Sequence, residues 1–186
     1  MIFDTDLYNL KKNITPIPDF PVTGVQYKDV TSLLYKPAAF KTTVDAITAF
    51  ARGNKITDVV AADARGFIWG SPVALNLGVP LHLVRKPGKL PPPTIGYEFE
   101  YEYANTSLHM KQNAPLSALS NVLIVDDVNA TGGTALATLE LLKQFKILPD
   151  EVSYASVIDL VFLGGSVKLT EQGVKTFSVI TYNKDE

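Results

Sequence analysis

Short apolar runs alternate with amphipathic segments along most of this chain. Residues 37–52 place Phe40, Val44, Ile47 and Phe50 at the spacing of one helix face, which predicts a helix. The apolar runs that predict strands are 58–62, 79–84, 122–125, 152–160 and 176–182, and the segments that predict further helices are 67–77 and 135–145. This alternation predicts an α/β fold, with a central, mainly parallel sheet that helices cover on both faces.

The N-terminal segment lacks this alternation. Residues 7–14 predict a short amphipathic helix. Residues 17–25 contain Pro18, Pro21 and Gly24, which interrupt regular structure, and an irregular loop is therefore predicted there.

Residues 85–103 form a second exception. They begin with RKPGKLPPP, which the prolines exclude from an ordinary helix or strand, and end with YEFEYEY. In an extended chain the aromatic and acidic side chains of that second part lie on opposite faces: Tyr97, Phe99, Tyr101 and Tyr103 on one, Glu98, Glu100 and Glu102 on the other. We predict an inserted β-ribbon that covers a site as a lid. For most residues of the segment from Tyr97 to Tyr103, an ordinary two-faced strand is the favoured alternative.

Composition restricts the class of protein. The 186 residues, 46% of them hydrophobic and 19% charged, favour one domain with a substantial core over a disordered chain. A net charge of -2 argues against nucleic acid as the main partner. The absence of cysteine excludes disulfides, thiolate metal sites and a cysteine nucleophile. Neither a secretory signal nor an apolar run approaching the roughly 18 residues of a membrane span is found, so a cytoplasmic protein is expected.

Residues 122–134, with the sequence VLIVDDVNATGGT, are the strongest candidate for chemistry. The apolar run predicts a strand that ends at Asp126 and Asp127, and the segment from Thr131 to Thr134 then opens a helix. A helix start has unpaired N–H groups and a partial positive charge, and glycines let a phosphate approach those groups closely. We therefore predict a phosphate site at this loop.

The two carboxylates of Asp126 and Asp127 would repel that phosphate, so they require another role. Ionised carboxylates accept hydrogen bonds, which suits them to the vicinal hydroxyls of a ribose. They could also contact Mg²⁺ or stabilise a positive charge that develops on the sugar. The three roles stay open from the residues alone.

Four segments resemble a known family. DDVNATGGT resembles the phosphoribosyl diphosphate (PRPP) motif of the type I phosphoribosyltransferases, although Asn129 stands where an apolar residue is commoner. DFPVTGVQYKDVTSLL at residues 19–34 is similar to the base-binding segment of the adenine phosphoribosyltransferases, and ADARGF at residues 62–67 to their pyrophosphate loop. VRKPGKLP at residues 84–91, with the later EY pair, is similar to their flexible loop.

The resemblance implies a fold and a reaction. The fold would be that of a type I phosphoribosyltransferase, a single domain of residues 1–186 with an N-terminal hood (residues 1–34) and a flexible lid (residues 85–103). The chain would transfer 5-phosphoribose from PRPP to adenine, giving AMP and pyrophosphate in purine salvage. A homodimer is implied, and so is Mg²⁺ bound with PRPP, which Asp126 or Asp127 could contact.

The resemblance also implies roles for individual residues. The 5-phosphate is expected to bind the loop formed by Ala130, Thr131, Gly132, Gly133 and Thr134. The ribose hydroxyls are expected to bind Asp126 and Asp127. The pyrophosphate is expected to bind Arg65, Arg85 and Lys89, with Lys86 assisting. Adenine is expected on Tyr27, where relatives often have Phe, with backbone groups of Gln26 and Lys28 at its edge and Leu160 over its other face. Arg65, Glu102 and Tyr103 are the expected catalytic residues: Arg65 for the leaving pyrophosphate, Glu102 for a proton of the adenine imidazole ring, and Tyr103 for closing the lid. A cis peptide bond between Asp63 and Ala64 is implied as well.

Two other functions are weighed against this one. A phosphoribosyltransferase for a 6-oxopurine is the nearest, and residues 19–34 argue against it because the resembled family selects its base there. The second is a nucleotide-sensing regulator that keeps the fold and has lost the chemistry. His82 and His109 have no neighbours of metal-ligand type in the sequence and are expected to be structural or exposed.

Overall fold

The computed structural model describes residues 10–101 and 104–186. The described strands are β1 (Thr15–Pro18), β2 (Gln26–Asp29), β3 (Asp58–Ala62), β4 (Leu81–Val84), β5 (Thr94–Tyr101), β6 (Ala104–Lys111), β7 (Val122–Asn129), β8 (Val152–Leu160) and β9 (Lys175–Tyr182). The described α-helices are α1 (Pro37–Gly53), α2 (Gly66–Leu77), α3 (Gly133–Lys143) and α4 (Gly165–Glu171), and short 3-10 helices span Val30–Tyr35, Pro149–Glu151 and Val161–Leu163. Among these helices, none combines the length and the apolar character needed to span a bilayer.

A parallel sheet of five strands forms the centre, in the order β4-β3-β7-β8-β9. Successive residues of its strands belong to two separate cores: Val59 and Leu123 to one, Val60 and Ile124 to the other. Helices α1 and α2 complete the first core, and α3 and α4 complete the second. The α/β fold predicted from the apolar runs is confirmed.

Helices α1 and α2 pack together around one buried aromatic side chain. Proline at the first position of α1 suits a helix start, because its missing N–H would be unpaired there anyway. The ring of Trp69 is fully buried and packs edge to face against Phe40, with 5.7 Å between the ring centres. Its indole N–H donates to Thr43 Oγ1 at 2.9 Å. The hydrogen bond offsets the cost of burying the indole nitrogen.

Several predicted boundaries are wrong, and two of these errors have a clear physical cause. Ile17 and Pro18 belong to β1, which pairs antiparallel with β2, rather than to an irregular loop. Proline is tolerated there because a two-stranded ribbon has open edges that need no N–H donor. The strand predicted to end at the Asp pair continues to Asn129, since Val128 and Asn129 still pair with residues of β8.

The predicted ribbon exists, but its second strand lies further along the chain. Strands β5 and β6 pair antiparallel from Thr94 opposite Lys111 to Tyr101 opposite Ala104. Tyr97 and Phe99 pack against the second core, as the alternating pattern predicts, while Glu98 is exposed. This ribbon (residues 94–111) is therefore held to the domain along its base, and whether its tip acts as a lid stays a prediction.

Both histidines lie in strands of the structure. His82 is buried in β4, and its Nε2 lies 2.9 Å from Asp58 Oδ1. His109 holds the ribbon to the end of β4 through two backbone hydrogen bonds with Arg85, of 2.9 and 2.7 Å.

Gly70 sets how closely α2 approaches the sheet, because a Cβ there would lie 2.7 Å from the Cβ of Ala61. We expect Gly70→Ala to lower the free energy of unfolding by about 1–3 kcal/mol through overpacking. Gly53→Ala is the matched control, since a Cβ at Gly53 meets nothing within 4 Å. Urea unfolding of both variants measures the difference, and equal stabilities would contradict this account of α2 packing.

Candidate active site

The loops that follow β3, β4 and β7 meet at one edge of the sheet, because parallel strands end on the same side. They enclose a cavity of about 650 Å³. Its walls include Arg65 after β3, Lys86 after β4, Asp126 and Asp127 on β7, and Phe99 and Thr106 from the ribbon. Site residues that were predicted from separate parts of the sequence thus line one cavity.

A smaller hollow of about 40 Å³ adjoins this cavity at the phosphate loop (residues 130–134). All five residues of the loop line it. Gly132 caps the N-terminus of α3 with a φ of 82°, a left-handed conformation that favours glycine. The first N–H groups of α3 therefore start at the wall of this hollow, as an anion site requires.

The phosphate loop is held from behind by the start of α4. The backbone N–H of Gly165 donates to the carbonyl of Ala130 at 3.1 Å, and Lys168 Nζ donates to the carbonyl of Thr131 at 3.2 Å. A Cβ at Gly165 would lie 2.5 Å from the Ala130 oxygen and 2.7 Å from the nitrogen of Gly132. Only glycine permits this approach, and two carbonyl oxygens that would repel an anion are thereby hydrogen-bonded elsewhere.

Asn129, which departs from the family motif, has a polar partner in the core. It is 2% exposed, and its Nδ2 donates to Asp159 Oδ1 on the neighbouring strand β8 at 2.9 Å. Burial raises the pKa of Asp159, while hydrogen bonds from Ser166 and Asn129 act in the opposite direction. The amide therefore stabilises a buried carboxyl beside the phosphate loop, a role that an apolar residue at this position could not fill.

The two carboxylates at the end of β7 have different surroundings. Burial, and then the charge of Asp127, raise the pKa of Asp126 well above its ordinary range. Asp127 forms an ion pair with Nε of Arg65, and its backbone N–H donates to Asp126 Oδ1 at 2.9 Å. The charge of the Asp127 carboxylate is thus balanced by Arg65, whereas Asp126 keeps its proton to a higher pH than an ordinary carboxyl group does.

The loop after β3 contains the cis peptide bond between Asp63 and Ala64 that the resemblance implies. Asp63 accepts a hydrogen bond from Nε of Arg85 at 3.0 Å, and the Arg85 guanidinium lies 5.6 Å from the ring centre of Phe67. Arg65 donates from Nη1 to the hydroxyl of Tyr27 at 2.5 Å. Both arginines are therefore oriented by side chains of the site itself.

Other predicted site residues lie outside the large cavity. Lys89 is exposed and does not line it, although its backbone carbonyl accepts a hydrogen bond from Arg85 at 3.2 Å. Gln26 is exposed, and Lys28 places its Nζ over the ring of Tyr182 at 4.6 Å. Leu160 is half-buried against the first core. Glu102 and Tyr103 lie outside the described residues.

Sequence reasoning did not single out Tyr154, Asp159, Gly165 or Lys168. Tyr154 lines the small hollow from β8, and the other three surround the phosphate loop as described above. Asp159 could have been found, because it is the one carboxylate in the apolar run 152–160 and lies near the carboxyl end of that predicted strand. Gly165 and Lys168 act only through the close approach of α4, for which the sequence holds no local signal.

Comparison with known proteins gives consistent matches. Residues 31–162 match the model of the phosphoribosyl transferase domain. An adenine phosphoribosyltransferase of Pectobacterium atrosepticum is 43% identical over 173 residues, which are 93% of this chain and 92% of that protein.

Two solved structures are similar as a whole. An adenine phosphoribosyltransferase from Thermoanaerobacter pseudethanolicus has a TM-score of 0.86 and 39% identity, covering 95% of this chain and 99% of that one. The enzyme from Giardia lamblia complexed with 9-deazaadenine has a TM-score of 0.88 and 34% identity, covering 95% of this chain and 97% of that one.

The raised pKa of Asp126 makes its effect on stability depend on pH. The folded protein keeps this proton to a higher pH than the unfolded chain does, so the charge destabilises the fold increasingly as pH rises from the ordinary value of 3.8 through the raised pKa. We expect Asp126→Asn to raise the melting temperature at pH 8 and to lose this advantage toward pH 4. Melting temperatures of both proteins across this range test it, and a difference independent of pH would contradict it.

The Asn129–Asp159 pair can be tested by a double-mutant cycle. Asn129→Leu should lower the free energy of unfolding by about 1–3 kcal/mol, because it removes a hydrogen bond from a buried carboxyl. Adding Asp159→Leu should recover part of that loss, since no buried polar group is then left unpaired. Denaturant unfolding measures the cycle, and strictly additive effects would show that the two side chains are not coupled.

Proposed function

We propose a function on the premise that this chain belongs to the phosphoribosyl transferase family and, within it, to the adenine phosphoribosyltransferases. It is an enzyme of purine salvage that transfers 5-phosphoribose from PRPP to adenine, giving AMP and pyrophosphate. The observation that carries this function is the meeting of an anion-binding helix start, two carboxylates and cationic side chains around adjoining cavities. The 9-deazaadenine bound by the Giardia relative supports adenine as the base.

The phosphate loop is proposed to bind the 5-phosphate of PRPP. Its hollow adjoins the large cavity, so a phosphate bound by the N–H groups of α3 would leave the ribose beside Asp126 and Asp127. Ionised carboxylates accept hydrogen bonds from vicinal hydroxyls. They would also stabilise the positive charge that the sugar ring develops as the bond to pyrophosphate breaks.

Arg65, Arg85 and Lys89 are proposed to bind the pyrophosphate, and Lys86 to assist. Arg65 and Lys86 already line the large cavity, and Arg85 lies one residue before Lys86. Lys89 would have to approach the site when PRPP binds, because it is exposed. A preorganised donor at a leaving group is worth roughly 3–4 kcal/mol of transition-state stabilisation.

Tyr27 is proposed to stack on adenine, with backbone groups of Gln26 and Lys28 at the edge of the base and Leu160 over the opposite face. Hydrogen bonds from backbone groups to the base do not depend on which side chains stand at those positions. This agrees with the structure, in which the Gln26 side chain is exposed and the Lys28 side chain contacts Tyr182. Adenine attacks the anomeric carbon through its ring nitrogen as the bond to pyrophosphate breaks. The proton of that nitrogen must then leave, and Glu102 is proposed to receive it, with Tyr103 closing the lid.

Mg²⁺ is proposed to bind together with PRPP. Within the described residues, no group of three or more His, Asp or Glu side chains forms a metal site. Asp126 and Asp127 nevertheless fit a shared cation, because each supplies carboxylate oxygens. Burial, and then the charge of Asp127, raise the pKa of Asp126, and a bound cation would offset that cost of its charge. When bound, the ion would neutralise charge on the pyrophosphate.

A homodimer and a cytoplasmic location are further parts of this proposal. Exposed apolar side chains on neighbouring elements support the dimer, in particular Leu75 on α2, which is 82% exposed, and Leu83 on β4. The division into hood, single domain and lid belongs to the proposal as well.

The function is tested by a spectrophotometric assay with Mg²⁺, PRPP and adenine, hypoxanthine, guanine or xanthine in turn. We expect turnover with adenine alone. Turnover with hypoxanthine or guanine would favour a 6-oxopurine enzyme, and binding without turnover would favour the regulator.

Asp127→Asn should lower turnover with adenine by at least about 100-fold, because a neutral amide can neither balance Arg65 nor stabilise a cationic ribose. The variant should remain folded. Asp45→Asn is the control, since Asp45 is an exposed carboxylate paired with Lys41 on α1. Equal rates for the two variants would remove Asp127 from the mechanism.

A further inference from the structure

The guanidinium of Arg65 joins residues of three subsites. Its Nη1 donates to the hydroxyl of Tyr27 at 2.5 Å, and its Nε pairs with the carboxylate of Asp127. Tyr27 belongs to the proposed base subsite, Asp127 to the ribose subsite and Arg65 to the pyrophosphate subsite. One chain of polar contacts therefore runs across the whole site, and the phenol oxygen is at one end of it.

This contact depends on an atom that phenylalanine lacks. The ring alone would suffice for stacking on a base, since the apolar face supplies the contact. The ring of Tyr27 is half-buried and meets Phe20 edge to face at 5.0 Å, so its position is set by packing that does not involve the hydroxyl. The hydroxyl is therefore available to act on Arg65 without being needed to hold the ring.

The two partners of Arg65 constrain it in a useful way. A guanidinium has five N–H donors in one plane, and fixing two of them on different nitrogens fixes the orientation of the plane. Because Arg65 lines the large cavity, its remaining N–H donors are available to a ligand that binds there. The Arg65 side chain is 42% exposed, so without such partners it would sample several rotamers.

The charge of Arg65 is stabilised by the same neighbours. Burial is the largest single effect and lowers the pKa of Arg65, but the charge of Asp127, the contact with Tyr27 and the charge of Asp126 together outweigh it, and the pKa is raised. The guanidinium is thus kept charged where a polyanion would bind.

We propose that the hydroxyl of Tyr27 is a positioning group for PRPP: it holds the Arg65 guanidinium in the orientation that receives the pyrophosphate. This inference rests on the proposed function. Tyr27 then has two separable roles: its ring stacks on adenine, and its hydroxyl oxygen orients Arg65 for PRPP. Preorganisation of this kind lowers the entropy that binding would otherwise cost.

Tyr27→Phe separates these tasks, because it keeps the ring and removes the oxygen. We expect the Kd of PRPP, measured by calorimetry without base, to rise about 10- to 30-fold, the lower part of the range for a hydrogen bond to a charged group. The KM of adenine should change less than about twofold, and the melting temperature should stay near that of the wild type. Tyr35→Phe is the matched control, because Tyr35 is 82% exposed and lines neither the large cavity nor the small hollow.

A spectroscopic measurement follows Arg65 itself. In 15N-labelled protein without ligands, the Nε–H signal of Arg65, assigned by its loss in Arg65→Lys, should shift or broaden in Tyr27→Phe and stay unchanged in Tyr35→Phe. An unchanged signal would overturn the positioning role, and so would an unchanged Kd of PRPP. Unfolding of Tyr27→Phe would also overturn it, because the hydroxyl would then serve stability.

The outcome distinguishes this inference from the proposed function. Wild-type protein that fails to bind PRPP contradicts both. Wild-type protein that binds PRPP but does not convert adenine contradicts the transfer reaction alone, and the two PRPP affinities still decide the role of Tyr27.

Discussion

The parallel pairing of β3 with β7 is the constraint on which the site depends. It aligns Ala61 with Val125, so the loop after β3 and the carboxylates after Val125 leave the sheet side by side. Arg65 then reaches Asp127, and through Nη1 it reaches Tyr27. If β7 paired one residue out of step with β3, Val125 would turn to the other core and the ion pair would be lost.

The two faces of the sheet contribute differently to the site. On the first, α2 starts directly after the loop with the cis peptide bond, and its packing on β3 holds that loop in place. On the second, α3 begins at the phosphate loop, while the base of the ribbon packs in the same core. The ribbon and the phosphate loop are thereby attached to one body. The ribbon residues that line the cavity are Phe99, Thr106 and Leu108, and Leu108 is buried in that second core.

Much of this arrangement could be predicted from local sequence. Apolar runs identify the strands of the central sheet because burial on both faces demands them, and the phosphate loop follows from a strand, glycines and a helix start in order. Predictions failed where contacts between distant residues decide the outcome. Residues 17 and 18 become a strand only because β2 pairs with them, and β7 extends to Asn129 only because Asp159 lies beside it. The oxygen of Tyr27 likewise acquires its partner through folding, since 38 residues separate it from Arg65.

The close approach of α4 to the phosphate loop also determines when, during synthesis of the chain, the contacts that orient this loop can form. The carbonyls of Ala130 and Thr131 find their partners in Gly165 and Lys168, which are synthesised more than thirty residues later. A nascent chain that has emerged only as far as α3 contains every residue of the loop but not the contacts that orient it. The proposed anion site would therefore be complete only after β8 and α4 have emerged from the ribosome, later than the motif that forms its walls.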